Sequence, residues 1–417
     1  MIEGDSCWDV RLCRGRPWGA MVDAVRKKEV LMIDARDTVG IVGLGAVTGY
    51  GWGLGELWKG LMSGKSAAHP IAFDDFVGLA ATVPDGGDED DSITLFGRAL
   101  YASGREAVAD ARQRGWRPGA RTGFILCTSL GEVQGWRDFY FKHGGRLRRR
   151  HYLQLLPSTA PSMFMAEFGF TGPSMNVGAA CASGALGVIL ARQWIVSGFA
   201  TDVVVSGTDL SVTPENAWHF DALNVLAREG TPEQACRPFQ EGSQGFIAGE
   251  ASAALVVTGQ PGVDAYANVL GGGLTHDAFH PIAIKPDGLQ VAAAWAQAID
   301  EAHLGPADIV YVNAHGSGTV LNDTVEAAVA DAMFPERTKL YSTKMLTGHG
   351  LGAGGALETA VAALTYETGE IPAPPLVAPA HPRVLDGATP RAPGPTLKSS
   401  IGMGGYNAAL VIDKLGS

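Results

Sequence analysis

What the chain lacks narrows its function before any motif is read. No run among its 417 residues reaches the ~18 consecutive apolar positions of a membrane helix, and the first residues are acidic, with no apolar stretch of the signal-peptide kind. Cysteine is sparse. The five thiols, at Cys7, Cys13, Cys127, Cys181 and Cys236, show no paired ligand spacing, so neither a metal site nor a disulfide framework is expected, and their scatter suits a reduced, cytoplasmic protein. Positive charge is also short: a net charge of −11 disfavours nucleic acid as a partner. No Pro-, Ser- or Gln-rich linker divides the chain, which implies one compact two-lobed unit. Gly43-Leu-Gly45 follows a strand-like run, but Thr48 stands where a dinucleotide loop would place its third glycine, so no nucleotide cofactor is expected.

What is present begins with Cys181. It lies in a collar of tiny residues from Val177 to Gly184 that opens into the apolar, helix-like run Leu186 to Trp194. A thiol at a helix N-terminus feels the positive end of the helix dipole, which favours the thiolate, and small neighbours let a carbonyl approach. Two histidines follow strand-like runs into glycine-rich turns: His315 after Ile309 to Ala314, and His349 after Ser342 to Gly348, with Lys344 just before it. One cysteine with two turn-borne histidines points to acyl transfer onto sulfur, the imidazoles handling a carbonyl oxygen or a proton. The remaining histidines lie in no comparable frame and are expected to be structural or superficial.

Four segments in order resemble the beta-ketoacyl synthases, condensing enzymes of the thiolase superfamily: Ala179 to Gly184, Asn313 to Thr319 with Asn322, Asp323 and Glu326 following, Ser342 to Glu358, and Ile401 to Asn407. Cys236 to Phe239, continuing to Gly245 to Glu250, supports them. The resemblance spans roughly residues 38 to 415, and its Cys-His-His set separates the chain from thiolases, which use a second cysteine, and from priming synthases, which use Cys-His-Asn.

The resemblance implies that Cys181 takes an acyl chain from an acyl carrier protein as a thioester. His315 and His349 then polarise a malonyl thioester, so that loss of carbon dioxide leaves an enolate to attack it. It further implies that Lys344 and Glu326 form a charged support behind the histidines. The N–H groups of Cys181 and Met403 would make an oxyanion hole on a turn that Gly402 and Gly404 allow close to sulfur. Ser317 and Thr319 would meet the pantetheine arm, and Phe246, Leu130 and Tyr406 would line the substrate channel. Met403 departs from the family's usual Phe and Tyr406 from its usual small residue, which implies a more compliant gate for extended or unusual acyl chains.

The fold implied is α/β and thiolase-like: two pseudo-duplicated βαβαβ halves in five α-β-α-β-α layers, with residues 38–260 carrying the nucleophile and 261–417 the histidines. Strand-like runs alternating with helical ones agree with an α/β class. Residues 1–37, with Cys7, Trp8, Cys13 and Trp18, fall outside the resemblance as an extension. A basic run, Arg146, Arg148, Arg149 and Arg150, preceded by Arg137 and Lys142, is the docking candidate for an acidic carrier protein. No metal or cofactor is expected beyond the carrier's phosphopantetheine. The Asn322-Asp323 pair, with Met403 and Tyr406, favours a specialised type II polyketide or polyene ketosynthase, as a homodimer or beside a chain-length-factor paralogue. A housekeeping fatty-acid synthase is the alternative; a thiolase or a chain-length factor itself fits less well.

Overall fold

The computed structural model describes residues 38–73, 76–89 and 92–415; the N-terminal extension lies outside them. Ten strands form the backbone of an 11-stranded sheet. The first five are β1 (Val39–Thr48), β2 (Thr122–Cys127), β3 (Ser174–Val177), β4 (Asp202–Asp209) and β5 (Ala251–Thr258). The second five are β6 (Ala267–His276), β7 (Tyr311–Asn313), β8 (Lys339–Tyr341), β9 (Thr396–Gly402) and β10 (Tyr406–Asp413). Their spatial order is β3-β2-β4-β5-β1 followed by β6-β10-β9-β7-β8. The two halves therefore repeat one order. In each, three parallel strands are continued by two antiparallel ones. Where the halves meet, β1 pairs with β6 only from Val39 to Ile41.

Five longer helices layer this sheet: α1 (Leu95–Gln113), α2 (Ser183–Val196), α3 (Leu289–Glu301), α4 (Val320–Met333) and α5 (Leu351–Thr368). Helix α1 packs on β1, β5 and β4, and α3 packs on β6, β10 and β9, while α2 and α5 pack on each other and touch strands of both halves. The resulting sequence of layers is helix, sheet, helix pair, sheet, helix. Each half extends the expected βαβαβ run by a further helix and a closing strand pair.

Sequence explains these positions. Strands β4 and β5 are buried along their whole length, as strands covered on both faces must be, and their centres read as apolar runs, Val203 to Val205 and Ala253 to Val257. Helix α5 is apolar around its circumference and buried from Leu351 to Thr365, so it can only be central. Helix α1 keeps a polar face, and Thr94 caps it by accepting the Gly97 N–H at 3.1 Å.

Candidate active site

Cys181 and His349 occupy matching places in the repeat, each at the entry to one of the two central helices, α2 and α5. Those helices cross at their first turns through a glycine pair: a Cβ on Gly184 would strike Ala356 N, and one on Gly355 would strike Ala185 N. Close passage of the two backbones is what brings the entries side by side. Two non-glycine residues in left-handed conformation flank the site, Ala180 (φ 47°) before the cysteine and Leu351 (φ 45°) after His349. Such strain is retained where the surroundings over-determine the backbone.

The turn after β9 closes over the sulfur. Gly402 lies so near the cysteine loop that a Cβ there would come within 2.6 Å of Ala179 O. The Met403 N–H and the N–H of Cys181 itself are both directed at the Cys181 sulfur. This is the donor pair the sequence assigns to an oxyanion hole. The thiolate expectation does not hold: burial pushes the thiol up to about 11, against the pull of Lys344 and these N–H groups. Desolvation of a charge outweighs a helix dipole here. Cys181 therefore rests as a thiol near neutrality.

The rings of His315 and His349 stand 5.2 Å apart at 75°, and Phe246 packs edge-on against His349 at 5.2 Å. Burial drives both imidazoles well below the ordinary histidine range, and the Lys344 and Lys398 ammoniums push the same way. Each is thus neutral, with one donor and one acceptor nitrogen. His349 Nδ1 is buried with no hydrogen-bond partner.

Lys344 and Glu326 do not pair with each other. The Lys344 ammonium donates to the His315 carbonyl at 2.5 Å and to the carboxylate of Glu358 on α5, whose other oxygen lies 2.7 Å from the Lys398 ammonium. Glu326 accepts instead the N–H groups of His315 and Gly316, at 2.8 and 2.7 Å, and the Ser399 hydroxyl at 2.9 Å. Geometry decides this division, because Glu326 projects from α4 toward the backbone of the His315 turn, whereas Glu358 projects from the central helix. Sequence reading passed over Glu358 and Lys398. The available signal was an acid in the middle of a long apolar helix and a lone lysine in a short strand.

The other candidates fall as follows. Ser317 is buried, its hydroxyl 2.8 Å from that of Thr319, the residue before α4. Asp323 accepts the N–H groups of Phe239 at 2.9 Å and Gly318 at 3.3 Å, and burial raises its carboxyl to about 7. Leu130 and Tyr406 are exposed in the single chain, the Tyr406 ring standing 5.0 Å from His276. Arg146, Arg148, Arg149 and Arg150 are exposed and make no ion pair among the described residues, whereas Arg137 and Lys142 are neutralised by Glu215 and Asp138 at 3.0 Å. A cavity of about 490 Å3, lined by Glu132, Asp138, Lys142, His143 and His151 among others, includes neither Cys181 nor His315 nor His349 in its lining.

The family model for the N-terminal domain of beta-ketoacyl synthases matches residues 36–260, and that for the C-terminal domain matches residues 266–376. The chain belongs to the beta-ketoacyl synthase family. It is thus a ketosynthase, a condensing acyltransferase. This ketosynthase is 29% identical over 403 residues to 3-oxoacyl-(acyl-carrier-protein) synthase 2 of Staphylococcus aureus, covering 90% of this chain and 97% of that one. It is 32% identical over 372 residues to the tetracenomycin polyketide synthase ketoacyl synthase alpha subunit of Streptomyces glaucescens, covering 81% and 87%. A ketosynthase solved in complex with its chain length factor, from Xenorhabdus doucetiae, superposes with a TM-score of 0.78 at 26% identity, covering 91% of this chain and 98% of that one. No described helix of the ketosynthase is long and apolar enough to cross a membrane.

Proposed function

We propose that this ketosynthase joins an acyl chain held on Cys181 to a malonyl unit delivered on an acyl carrier protein, within a specialised type II polyketide or polyene pathway. The observation that carries the chemistry is the pair of N–H groups, from Met403 and Cys181, aimed at one buried sulfur at the entry to α2, with the paired rings of His315 and His349 at the crossing helix entry of α5.

In the first step the thiol attacks the carrier's acyl thioester. The Cys181 proton passes by way of a histidine's free nitrogen to the departing pantetheine thiolate, so charge balances. In the second step the malonyl carboxylate leaves as carbon dioxide, and its electron pair becomes an enolate whose oxygen takes hydrogen bonds from His315 and His349. Fixed donors at such an oxygen are worth roughly 3 kcal/mol each. The enolate carbon then attacks the Cys181 thioester, and the tetrahedral oxyanion sits on the two backbone N–H groups. Collapse expels the thiolate, which regains a proton, and frees a β-ketoacyl carrier.

Arg146, Arg148, Arg149 and Arg150, free of carboxylates among the described residues, are the proposed docking surface for the acidic carrier protein. Ser317 and Thr319 are proposed to meet its pantetheine arm, and Phe246, Leu130, Met403 and Tyr406 the acyl chain. The exposed edge strand β3, with Ser174 to Asn176 outward, is the proposed site of a second subunit, either another copy or a chain-length-factor paralogue. Similarity to the Staphylococcus synthase supports a second reading, fatty-acid elongation. Intact-mass spectrometry of wild type and Cys181→Ala, after exposure to a panel of acyl-carrier thioesters, tests the reading. A single adduct on wild type only is expected, with unsaturated or β-keto chains favoured in the polyketide reading and saturated chains in the alternative. An adduct that persists in Cys181→Ala would remove Cys181 as the nucleophile.

A further inference from the structure

Lys398 is fully buried in β9, a strand that runs on into the Met403 turn. A buried ammonium is costly unless paired and hydrogen-bonded. Its partners are the Glu358 carboxylate at 2.7 Å and the carbonyl of Ser399. Glu358 is thereby held between two lysines, Lys344 on one oxygen and Lys398 on the other. The next residue, Ser399, points to the opposite face of the strand, as alternation requires. There it donates to Glu326 and accepts from Trp295 Nε1 at 3.1 Å. Consecutive residues of one strand thus touch both carboxylates that stand behind the histidines.

The charged groups acting on Lys398 are Glu358 from α5, Lys344 from the short helix Lys344–Thr347, and Glu326 from α4. Burial lowers the Lys398 ammonium to about 8, so it carries its charge below that pH; there two carboxylates face two ammoniums, and both lysines act on both rings. A single lysine would suffice to neutralise Glu358, so the second calls for a purpose.

We propose that Lys398 is a positioning residue for the condensation. With Lys344 it clamps Glu358 from both sides, and it places a second ammonium behind His315 and His349, the two donors to the thioester oxygen. The inference rests on the ketosynthase mechanism above only for its use in catalysis. The charge arrangement itself is tested without substrate.

Imidazole resonances of isotopically labelled protein, assigned with His315→Gln and His349→Gln, are followed from pH 8 to pH 6 in wild type, Lys398→Met and Lys398→Arg. Both rings stay neutral throughout in wild type and Lys398→Arg, and both begin to protonate in Lys398→Met. In parallel, the ratio of condensation rates at pH 8 and pH 6 rises severalfold in Lys398→Met, with the KM for carrier unchanged. A purely structural lysine would lower the melting temperature and leave titration and ratio alone, which would overturn the proposal. Removing one member of a buried ion pair is costly, but Lys344 still neutralises Glu358 in Lys398→Met. If Lys398→Met does not fold, the same titration in Lys398→Gln decides: rings that titrate as in wild type overturn the proposal. Shifted rings in a protein that condenses no substrate would refute the mechanism and leave the charge arrangement standing.

Discussion

The two halves of the molecule share a strand order and differ in what they bury at the site. In the first, the loop after β2 brings up Thr128, Ser129 and Leu130, and the cysteine loop is lined by Ala179, Ala182 and Ser183. In the second, the matching loop after β7 brings up His315, and Glu326, Lys344, Glu358 and Lys398 crowd behind it. Asp209, at the end of β4, links the halves by accepting the Ser129 N–H at 2.8 Å and the Gly352 N–H, from the start of α5, at 3.2 Å. The difference shows that one repeated strand order presents a pair of helix entries, of which one buries a nucleophile and the other its electrostatics.

Removing charge from the second half should have the largest structural effect. Glu358→Gln strands two buried ammoniums, and breaking such a pair costs about 3–5 kcal/mol, to be read by equilibrium denaturation against the same change at exposed Glu241. The first half makes an opposite demand. Because burial lifts the Cys181 thiol up to about 11, the thiolate fraction rises roughly tenfold per pH unit below that value. Alkylation of Cys181 should accordingly keep climbing from pH 7 to pH 9, and a plateau beginning near pH 7 would show a thiolate at rest.

Smaller effects sharpen the comparison at its edges. Met403→Phe places a stiff ring where a flexible side chain stands, and competition between short and long acyl carriers should shift toward short chains by several fold. An unchanged preference would remove Met403 as a gate. Smallest is the carrier surface: Arg148→Glu with Arg149→Glu should raise the carrier KM a few fold while sparing small thioester mimics, and lose that effect in high salt. No change in KM would move docking elsewhere.

The site was legible in proportion to how local its signals are. Cys181, His315 and His349 each sit in a short glycine-rich frame; the first two follow a strand directly, while the short helix Lys344–Thr347 separates His349 from its strand, and all three frames lie at helix entries or strand ends around the central layer. The partner of Lys344 was not legible, because Glu358 and Lys398 meet it only through the packing of α5 against β9, a contact with no local signature. The same holds for the fold. The buried runs of β4 and β5 announce themselves, whereas the repeat of strand order emerges only from pairing between distant segments. The thiol's state was misjudged for a related reason, since a helix dipole is visible in sequence and the depth of burial is not.

The division of labour between the halves is tested most directly by separating the two chemical steps in paired variants. Acyl transfer to residue 181 would be measured by intact mass, and carbon dioxide release from a malonyl carrier by trapping, in Cys181→Ala and His315→Ala. The account predicts that Cys181→Ala forms no acyl adduct yet still releases carbon dioxide. His315→Ala should form the adduct at a near-normal rate while decarboxylation falls by roughly 10²–10³-fold, the cost of one lost oxyanion donor. Equal loss of both steps in both variants would contradict it.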